Sequence, residues 1–245
     1  ALDPVIEARL KGKVDAAEQE KALLDLKVCD PACGSGHFLI AAAHRIAGRL
    51  AQARAGGDEP PPNETRRALR DVIRHCVYGV DVNPMAVELC KVNLWLESLE
   101  PGKPLSFLDA HIQCGDSLVG VGPGMDISEI PDEAFSPAFG DDKATAAALK
   151  KRNKAERSGQ YGFRWKVTPL TSPEDLARWR AERAGQVDAM PEDDPAQVQA
   201  KAQAFEAYQE TQEYIRNRLE YDLWTAAFFW PAPKGSAESI LAPTQ

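Results

Sequence analysis

Three aspartates stand at or near the ends of apolar runs in the first half of the sequence. Asp30 ends LLDLKVCD, Asp81 lies in VYGVDV, and Asp116 lies in AHIQCGDSL. If these runs form adjacent parallel strands, their carboxyl ends meet at the edge where open α/β sheets bind ligands. One terminal aspartate is a routine turn residue, but three around the same crevice predict a binding site.

The segment DPACGSGHFL, residues 30–39, joins the first of these runs to a helical pattern. A Walker phosphate loop needs a lysine after its last glycine, and here His37 follows Gly36. A dinucleotide fingerprint needs a third glycine where Leu39 stands, and Asp30 would repel a pyrophosphate. Neither phosphate-binding pattern therefore describes this loop.

Cysteine spacing argues against a structural zinc site in the same loop. Cys29 and Cys33 are close in sequence, but the chain has no CxxC pair and no His-x-x-x-His follows. Structural zinc needs four ligands at recognisable spacings. The chain has 5 cysteines and no export signal, a pattern typical of reduced thiols in the cytosol.

A nucleotide that carries positive charge and no phosphate fits these residues better. Asp30 can attract a cationic amino-acid end, while Asp81 can accept hydrogen bonds from both ribose hydroxyls. Asp116 can accept a hydrogen bond from the exocyclic amine of adenine. Gly34 and Gly36 let the backbone approach the ligand closely. These properties describe S-adenosylmethionine, which has an ammonium and a sulfonium group in place of a pyrophosphate.

Three spaced motifs also carry a resemblance to a known family. DPACGSGHFL, VYGVDVNPMAVELCKVNLWL and IQCGDSL, in this order, resemble the cofactor-binding half of adenine-specific (N6) DNA methyltransferases. The likeness extends to the large bacterial enzymes of type IIG restriction-modification and of BREX phage-exclusion systems. It covers about residues 23–120. It implies S-adenosylmethionine as cofactor, DNA as partner of the full-length protein, and partner subunits of a defence system.

Ligand chemistry and resemblance together define a predicted cofactor site. Val82 and Pro84 are expected to supply apolar surface against the adenine ring. No metal ligand and no catalytic residue is predicted within the chain. The predicted cofactor-binding residues are Asp30, Pro31, Ala32, Cys33, Gly34, Ser35, Gly36, Phe38, Asp81, Val82, Pro84, Asp116, Ser117 and Leu118.

The catalytic motif of the resembled family is not found in the sequence. That family holds the flipped adenine with an Asn/Asp-Pro-Pro-aromatic sequence after its fourth strand. Asn83 and Pro84 are followed by Met85, and PPPN at 60–63 has the wrong order. The chain is therefore interpreted either as a fragment of a longer methyltransferase or as a degenerate, non-catalytic scaffold. The fragment interpretation predicts no methylation by the isolated chain and an open apolar sheet edge beside the first strand.

Periodicity predicts the elements that position this site. Apolar runs at 23–30, 77–82 and 110–118 are expected to be strands that alternate with helices. That alternation indicates a partial, mostly parallel α/β sheet, and the resemblance implies a Rossmann-like class I methyltransferase sheet. Further predicted helices lie at 69–76, 83–99, 143–158, 174–184 and 195–223, and the last is expected to be one long helix or two in succession.

A change of composition near residue 120 predicts two domains. Residues 1–124 are expected to form an incomplete S-adenosylmethionine-binding α/β domain, and residues 125–245 a mainly helical insertion or arm. A basic run that includes Lys150, Lys151 and Arg152 could contact a DNA backbone, although a solvated helix face is the simpler interpretation. YGFRW at 161–165 could stack on a base or pack as a link between helices.

Overall composition bounds the class of protein. Hydrophobic residues make up 44% of the chain and charged residues 27%, which is ordinary for a soluble globular protein. The net charge of -8 gives no overall basic footprint for nucleic acid. The sequence contains no apolar run of about 18 residues, which a spanning helix would require. We therefore expect a cytoplasmic protein without membrane contact.

Overall fold

A parallel three-stranded sheet lies at the centre of the first half of the chain. The computed structural model describes residues 2–122, 125–138, 140–159, 173–235 and 241–244, with the backbone alone at 173–177. The strands are β1 (Val28–Asp30), β2 (Val77–Asp81) and β3 (Ile112–Cys114). They pair in parallel in the order β1-β2-β3. This arrangement confirms the predicted α/β class and its partial parallel sheet.

Helices connect the strands of the sheet and make up most of the second half of the described chain. A short 3-10 turn at Asp132–Phe135 precedes the second half's helices. The α-helices are α1 (Leu2–Leu10), α2 (Ala16–Leu24), α3 (His37–Arg54), α4 (Pro62–Cys76), α5 (Pro84–Glu97), α6 (Lys143–Arg157), α7 (Pro173–Asp188), α8 (Pro195–Gln209) and α9 (Gln212–Phe229).

Helix α5 begins as its sequence predicts. The Asn83 side chain accepts a hydrogen bond from the backbone N–H of Met85 at 3.0 Å, and Pro84 occupies the first turn. This pair satisfies one unpaired N–H and presets the first helical backbone angle. The predicted helix at 83–99 is confirmed, with observed bounds of Pro84–Glu97.

The predicted strand at 23–30 is wrong in its first half. Leu23 and Leu24 end helix α2, and β1 begins only at Val28. Asp15 caps this helix by accepting from the backbone N–H groups of Ala17 and Glu18. An apolar run of this length does not distinguish a strand from the buried end of a helix.

The long helical pattern at 195–223 forms two successive helices, α8 and α9. Thr211 begins α9 as its N-cap, and its hydroxyl accepts from the backbone N–H of Tyr214. The aromatic segment at 161–165 lies outside the described residues. No described helix is long and apolar enough to cross a membrane.

The chain divides into two compact units. The first comprises residues 1–117 and 184–207, and the second residues 118–183 and 208–245. These units differ from the predicted continuous domains at 1–124 and 125–245, because residues 184–207 pack with the first unit. Each unit has its own buried apolar cluster. The division into two continuous domains at 1–124 and 125–245 remains a prediction.

Helix α3 shows how the first unit forms its core. Leu39, Ile46 and Leu50 are fully buried on one face of this helix. Their spacings of seven and four residues align them along one stripe. Burying each side chain stabilises the fold by about 1.5–3 kcal/mol before entropy is counted. The glycine loop that precedes α3 is therefore anchored to a well-packed helix.

Candidate cofactor-binding site

The loop between β1 and α3 is shaped by two glycines with left-handed backbone angles. Gly34 has φ +53° and Gly36 φ +88°, a region that side chains disfavour. A Cβ atom at Gly36 would lie 2.7 Å from Sγ of Cys90, whereas one at Gly34 would meet no atom within 4 Å. Gly36 thus allows close packing on α5, and Gly34 leaves open space above the loop.

Asp81 ties the end of β2 to this loop. Its Oδ2 accepts from the backbone N–H of Gly34 at 2.9 Å, and its Oδ1 accepts from that of Asn83 at 2.9 Å. The hydrogen bond from Asn83 has the larger effect and that from Gly34 the smaller, and together they hold the pKa of the Asp81 carboxyl below its usual range. Asp81 is therefore ionised at neutral pH, and each oxygen retains a second acceptor direction.

The segment after β3 also reaches the loop. The Ser117 hydroxyl donates to the carbonyl of Pro31 at 2.7 Å. The backbone N–H of Cys33 donates to the carbonyl of Val80 at 2.9 Å. Register places Asp81 opposite Cys114, two residues before Asp116. The structure thus brings the predicted loop, the end of β2 and the segment after β3 to one edge of the sheet.

Asp30 and Asp116 stand beside the other two strands. Asp30 ends β1 and accepts from the backbone N–H of Ala32 at 3.0 Å, which closes a tight turn into the loop. Asp116 is exposed just beyond the end of β3. All three predicted acids therefore lie at or just beyond the carboxyl ends of adjacent parallel strands, where ligands of such sheets bind.

Apolar side chains of the predicted site are exposed to solvent. Phe38 at the start of α3 is 82% exposed, and Val82 after β2 is 70% exposed. Pro84 and Ala32 are also exposed. Leu118 is exposed as well, but it begins the second unit. Exposed apolar surface beside polar strand ends is what a bound aromatic ring would cover.

Sequence reasoning missed two residues that shape the loop from α5. Asn93 donates from Nδ2 to the carbonyl of Ser35 at 2.9 Å. Cys90 is completely buried and contacts Gly36. The one local signal for Asn93 is an amide within the apolar run VNLWL. Cys90 carries no local signal, because its role depends on the position of Gly36 in space.

The thiols beneath the loop are suited to packing. Burial raises the pKa of Cys33, and burial also raises the pKa of Cys90 to about 12. Both therefore remain neutral thiols at physiological pH, and all the cysteines are free of disulfides. Within the described ranges, no group of three or more His, Cys, Asp or Glu side chains could hold a metal ion.

The donor set fits a cationic nucleoside better than a phosphate. Residues 30–38 contain carboxylate, hydroxyl and backbone groups but neither Lys nor Arg. Helix α3 begins at Gly36 without a side-chain cap, so its first N–H groups are available for an acceptor. Carboxylates that lie beside uncapped backbone N–H groups suit a ligand with both ammonium and carboxylate groups.

The basic run on α6 is only partly exposed. Lys150 and Lys151 are exposed, but Nε of Arg152 pairs with Oε1 of Glu156 at 2.8 Å. The solvated-face interpretation therefore accounts for Arg152. DNA contact by the two lysines remains a prediction.

The part of the chain that contains the glycine loop is similar to a known protein family. Residues 15–121 match the model of the N-6 DNA methylase family. These residues are similar to N-6 DNA methylases, and they make up less than half of the chain. The match spans α2, all three strands and the loop, so the resemblance read from the three motifs is confirmed for this part of the chain.

Two curated relatives are similar to this chain over 113 residues each. An adenine-specific methyltransferase, PglX of Streptomyces coelicolor, is 30% identical over 113 residues, or 43% of this chain. A putative type II restriction enzyme and methyltransferase of Methanocaldococcus jannaschii, RM.MjaORFECS2P, is 33% identical over 113 residues, or 41% of this chain. The aligned part covers only 9% of each relative. No solved structure matches the chain with significant similarity.

Proposed function

We propose that this chain binds S-adenosylmethionine and forms the cofactor side of a DNA adenine-N6 methyltransferase of restriction-modification or phage defence. The observation that carries the proposal is the meeting of the glycine loop, Asp81 and the segment after β3 at one sheet edge. The N-6 DNA methylase match over residues 15–121 supports the choice of reaction class.

Asp81 is the residue to which we assign the ribose. Its carboxylate is charged at neutral pH and has acceptor capacity beyond its two backbone bonds. Paired ribose hydroxyls donate well to such a carboxylate. Asp116 would accept from the adenine amine, and the exposed surfaces of Val82 and Pro84 would cover the ring.

The methionine end is assigned to the start of the loop and of α3. Asp30 would attract the ammonium group, and the uncapped N–H groups of the first turn of α3 would bind the carboxylate. Ser35 and Ala32 line the same loop with Pro31, whose carbonyl is already held by Ser117.

S-adenosylmethionine supplies a methyl group activated by its sulfonium. Held by Asp30, Asp81 and Asp116, it would supply this methyl group to the adenine N6. We place the group that orients the adenine amine outside these 245 residues. The isolated chain is therefore proposed to be inactive, with DNA engaged by a longer protein and its partner subunits in the cytoplasm.

Isothermal calorimetry with S-adenosylmethionine tests the cofactor proposal directly. The wild-type chain should bind, and Asp81→Ala should weaken binding at least tenfold, because charged hydrogen bonds are lost. Asp58→Ala removes an exposed loop carboxylate and serves as the matched control. Circular dichroism spectra must show that both variants are folded.

Two other outcomes are decisive against parts of this proposal. Failure of the folded wild-type chain to bind the cofactor would favour the non-catalytic scaffold. Transfer of radiolabelled methyl groups to DNA by the isolated chain would show that its catalytic residues are present and were overlooked.

A further inference from the structure

The second unit contains a cleft lined by tyrosines and arginines. It is open to solvent and has a volume of about 310 Å³ between side chains of α7, α8 and α9. We call it the Tyr/Arg cleft. Its lining residues are Arg180, Tyr208, Tyr214, Arg218, Tyr221 and Asp222.

One face of α9 supplies the aromatic wall. Tyr214, Arg218 and Tyr221 are four and three residues apart, so they lie along the same side of the helix. The ring of Tyr208 meets that of Tyr214 edge-to-face, with centroids 5.0 Å apart. Trp179 of α7 extends this wall, because its ring centroid lies 5.7 Å from that of Tyr208.

Arg180 places a cation inside the same wall. Its guanidinium carbon lies 4.8 Å from the centroid of the Tyr221 ring. Its Nε is buried and has no hydrogen-bond partner in the part of the chain that the structure describes. A buried N–H without an acceptor is uncommon and costly, so a ligand oxygen would stabilise this arrangement.

Charge at the mouth of the cleft is uneven. Nε of Arg218 pairs with Oδ2 of Asp222 at 3.5 Å, and both side chains are mostly exposed. Arg218 is therefore partly neutralised, whereas no carboxylate pairs with Arg180 among the described residues. An anionic group would be attracted to the Arg180 side of the cleft.

We propose that the Tyr/Arg cleft binds an unpaired nucleotide of a DNA strand. Aromatic faces and guanidinium planes are the surfaces on which exposed bases stack, and arginine attracts the phosphate. The cleft volume suits a single nucleotide rather than a duplex, whose bases are already stacked. The choice of DNA as the strand rests on the proposed function.

Fluorescence anisotropy with the full 245-residue chain tests this proposal. A labelled single-stranded oligonucleotide and its duplex form are titrated separately at one fixed salt concentration, because phosphate contacts depend on salt. The single strand should bind more tightly. Tyr214→Ala and Tyr221→Ala should each weaken it about tenfold, and Tyr214→Phe should retain binding because the ring still stacks.

A matched pair of arginines on α9 separates a specific contact from general charge. Arg218→Gln and Arg216→Gln remove the same charge, and each residue pairs with an acid four positions later. Only Arg218 lines the cleft. Arg218→Gln and Arg180→Gln should weaken single-strand binding, while Arg216→Gln should not.

Three results would overturn the proposal: equal affinity for single strand and duplex, no single-strand binding by the folded wild-type chain, or unchanged affinity in both tyrosine-to-alanine variants. S-adenosylmethionine calorimetry on the same preparations keeps the two proposals apart. Loss of the cleft proposal with intact cofactor binding leaves the proposed function standing. Absence of cofactor binding with tyrosine-dependent strand binding would reject the proposed function alone.

Discussion

Carboxylates in the first unit occupy two contrasting environments. At the strand ends, Asp81 is partly exposed and, among the described residues, bonded only to backbone N–H groups. On α4, just before β3 and on the segment 184–207, acids and bases instead form a mostly buried charge network. Its members are Arg70, Arg74, His111, Asp188, Glu192 and Lys201.

Glu192 shows how the network pairs a buried charge. Its carboxylate is fully buried and accepts from Nζ of Lys201 at 2.7 Å and from the backbone N–H of Phe107 at 3.3 Å. Nε of Arg74 lies 3.6 Å away. Because Glu192 is shielded from solvent, a ligand cannot reach its oxygens, whereas Asp81 is accessible. Burial with a partner thus marks structural charges, and partial exposure marks the candidate site.

Breaking the network should produce the largest effect on stability. Lys201→Met leaves Glu192 buried without its closest cation, which should lower the free energy of unfolding by about 3–5 kcal/mol. Urea unfolding followed by circular dichroism measures this change. Arg45→Met, which breaks an exposed pair with Asp3, should cost less than about 1 kcal/mol. Equal losses in the two variants would show that the buried pair contributes no more to stability than the exposed pair.

The glycine loop should respond next, and unequally at its two glycines. Gly36→Ala places a Cβ against Sγ of Cys90 in a left-handed backbone and should cost about 3 kcal/mol. Gly34→Ala meets no atom within 4 Å, so only backbone strain of about 1–2 kcal/mol is expected. Adding Cys90→Ala to Gly36→Ala should recover part of the loss, and no recovery would reject the packing explanation.

Acid should weaken the network through Asp188. Burial opposes ionisation there, but hydrogen bonds with His111 and His75 prevail and hold the pKa of Asp188 below its usual range. Its stabilising contribution is complete above a pH of about 4, the ordinary carboxyl value, and is lost as the pH falls through the lowered pKa. This contribution is of order 2 kcal/mol.

Unfolding measured across that acid range checks this sign. The stability of Asp188→Asn should fall less steeply than that of the wild type as the pH decreases below about 4. Asp58→Asn, at an exposed loop position, is the control and should keep the wild-type slope. A steeper fall in Asp188→Asn would show that the sign is wrong.

Replacing Asn93 should have a small effect on stability but a measurable effect on cofactor binding. Asn93→Ala removes the hydrogen bond to the Ser35 carbonyl, which should cost about 1 kcal/mol in unfolding free energy. Because this bond holds the loop, S-adenosylmethionine binding should weaken as well. Asn63→Ala, on the exposed side of α4, is the control. Unchanged affinity in Asn93→Ala would limit Asn93 to a structural role.

Local signals account for the parts of the fold that were predicted well. The cap at Asn83 and the following proline locate the start of α5, and VYGVD forms β2 at Val77–Asp81. The loop glycines and the three strand-end acids were likewise visible in the sequence. In contrast, the helical state of Leu23 was mispredicted, since its apolar run suits either element.

The sequence by itself determined the strand-end chemistry of this protein: acids after apolar runs, a glycine loop without basic residues, and capped helices between them. Such features act over a few residues and leave a periodic trace. Only the tertiary structure decided that Asp81 holds Gly34, that Cys90 lies under Gly36, and that residues 184–207 bury their charges with the first unit. These contacts join residues distant in sequence, and their energy depends on burial, which no local pattern records.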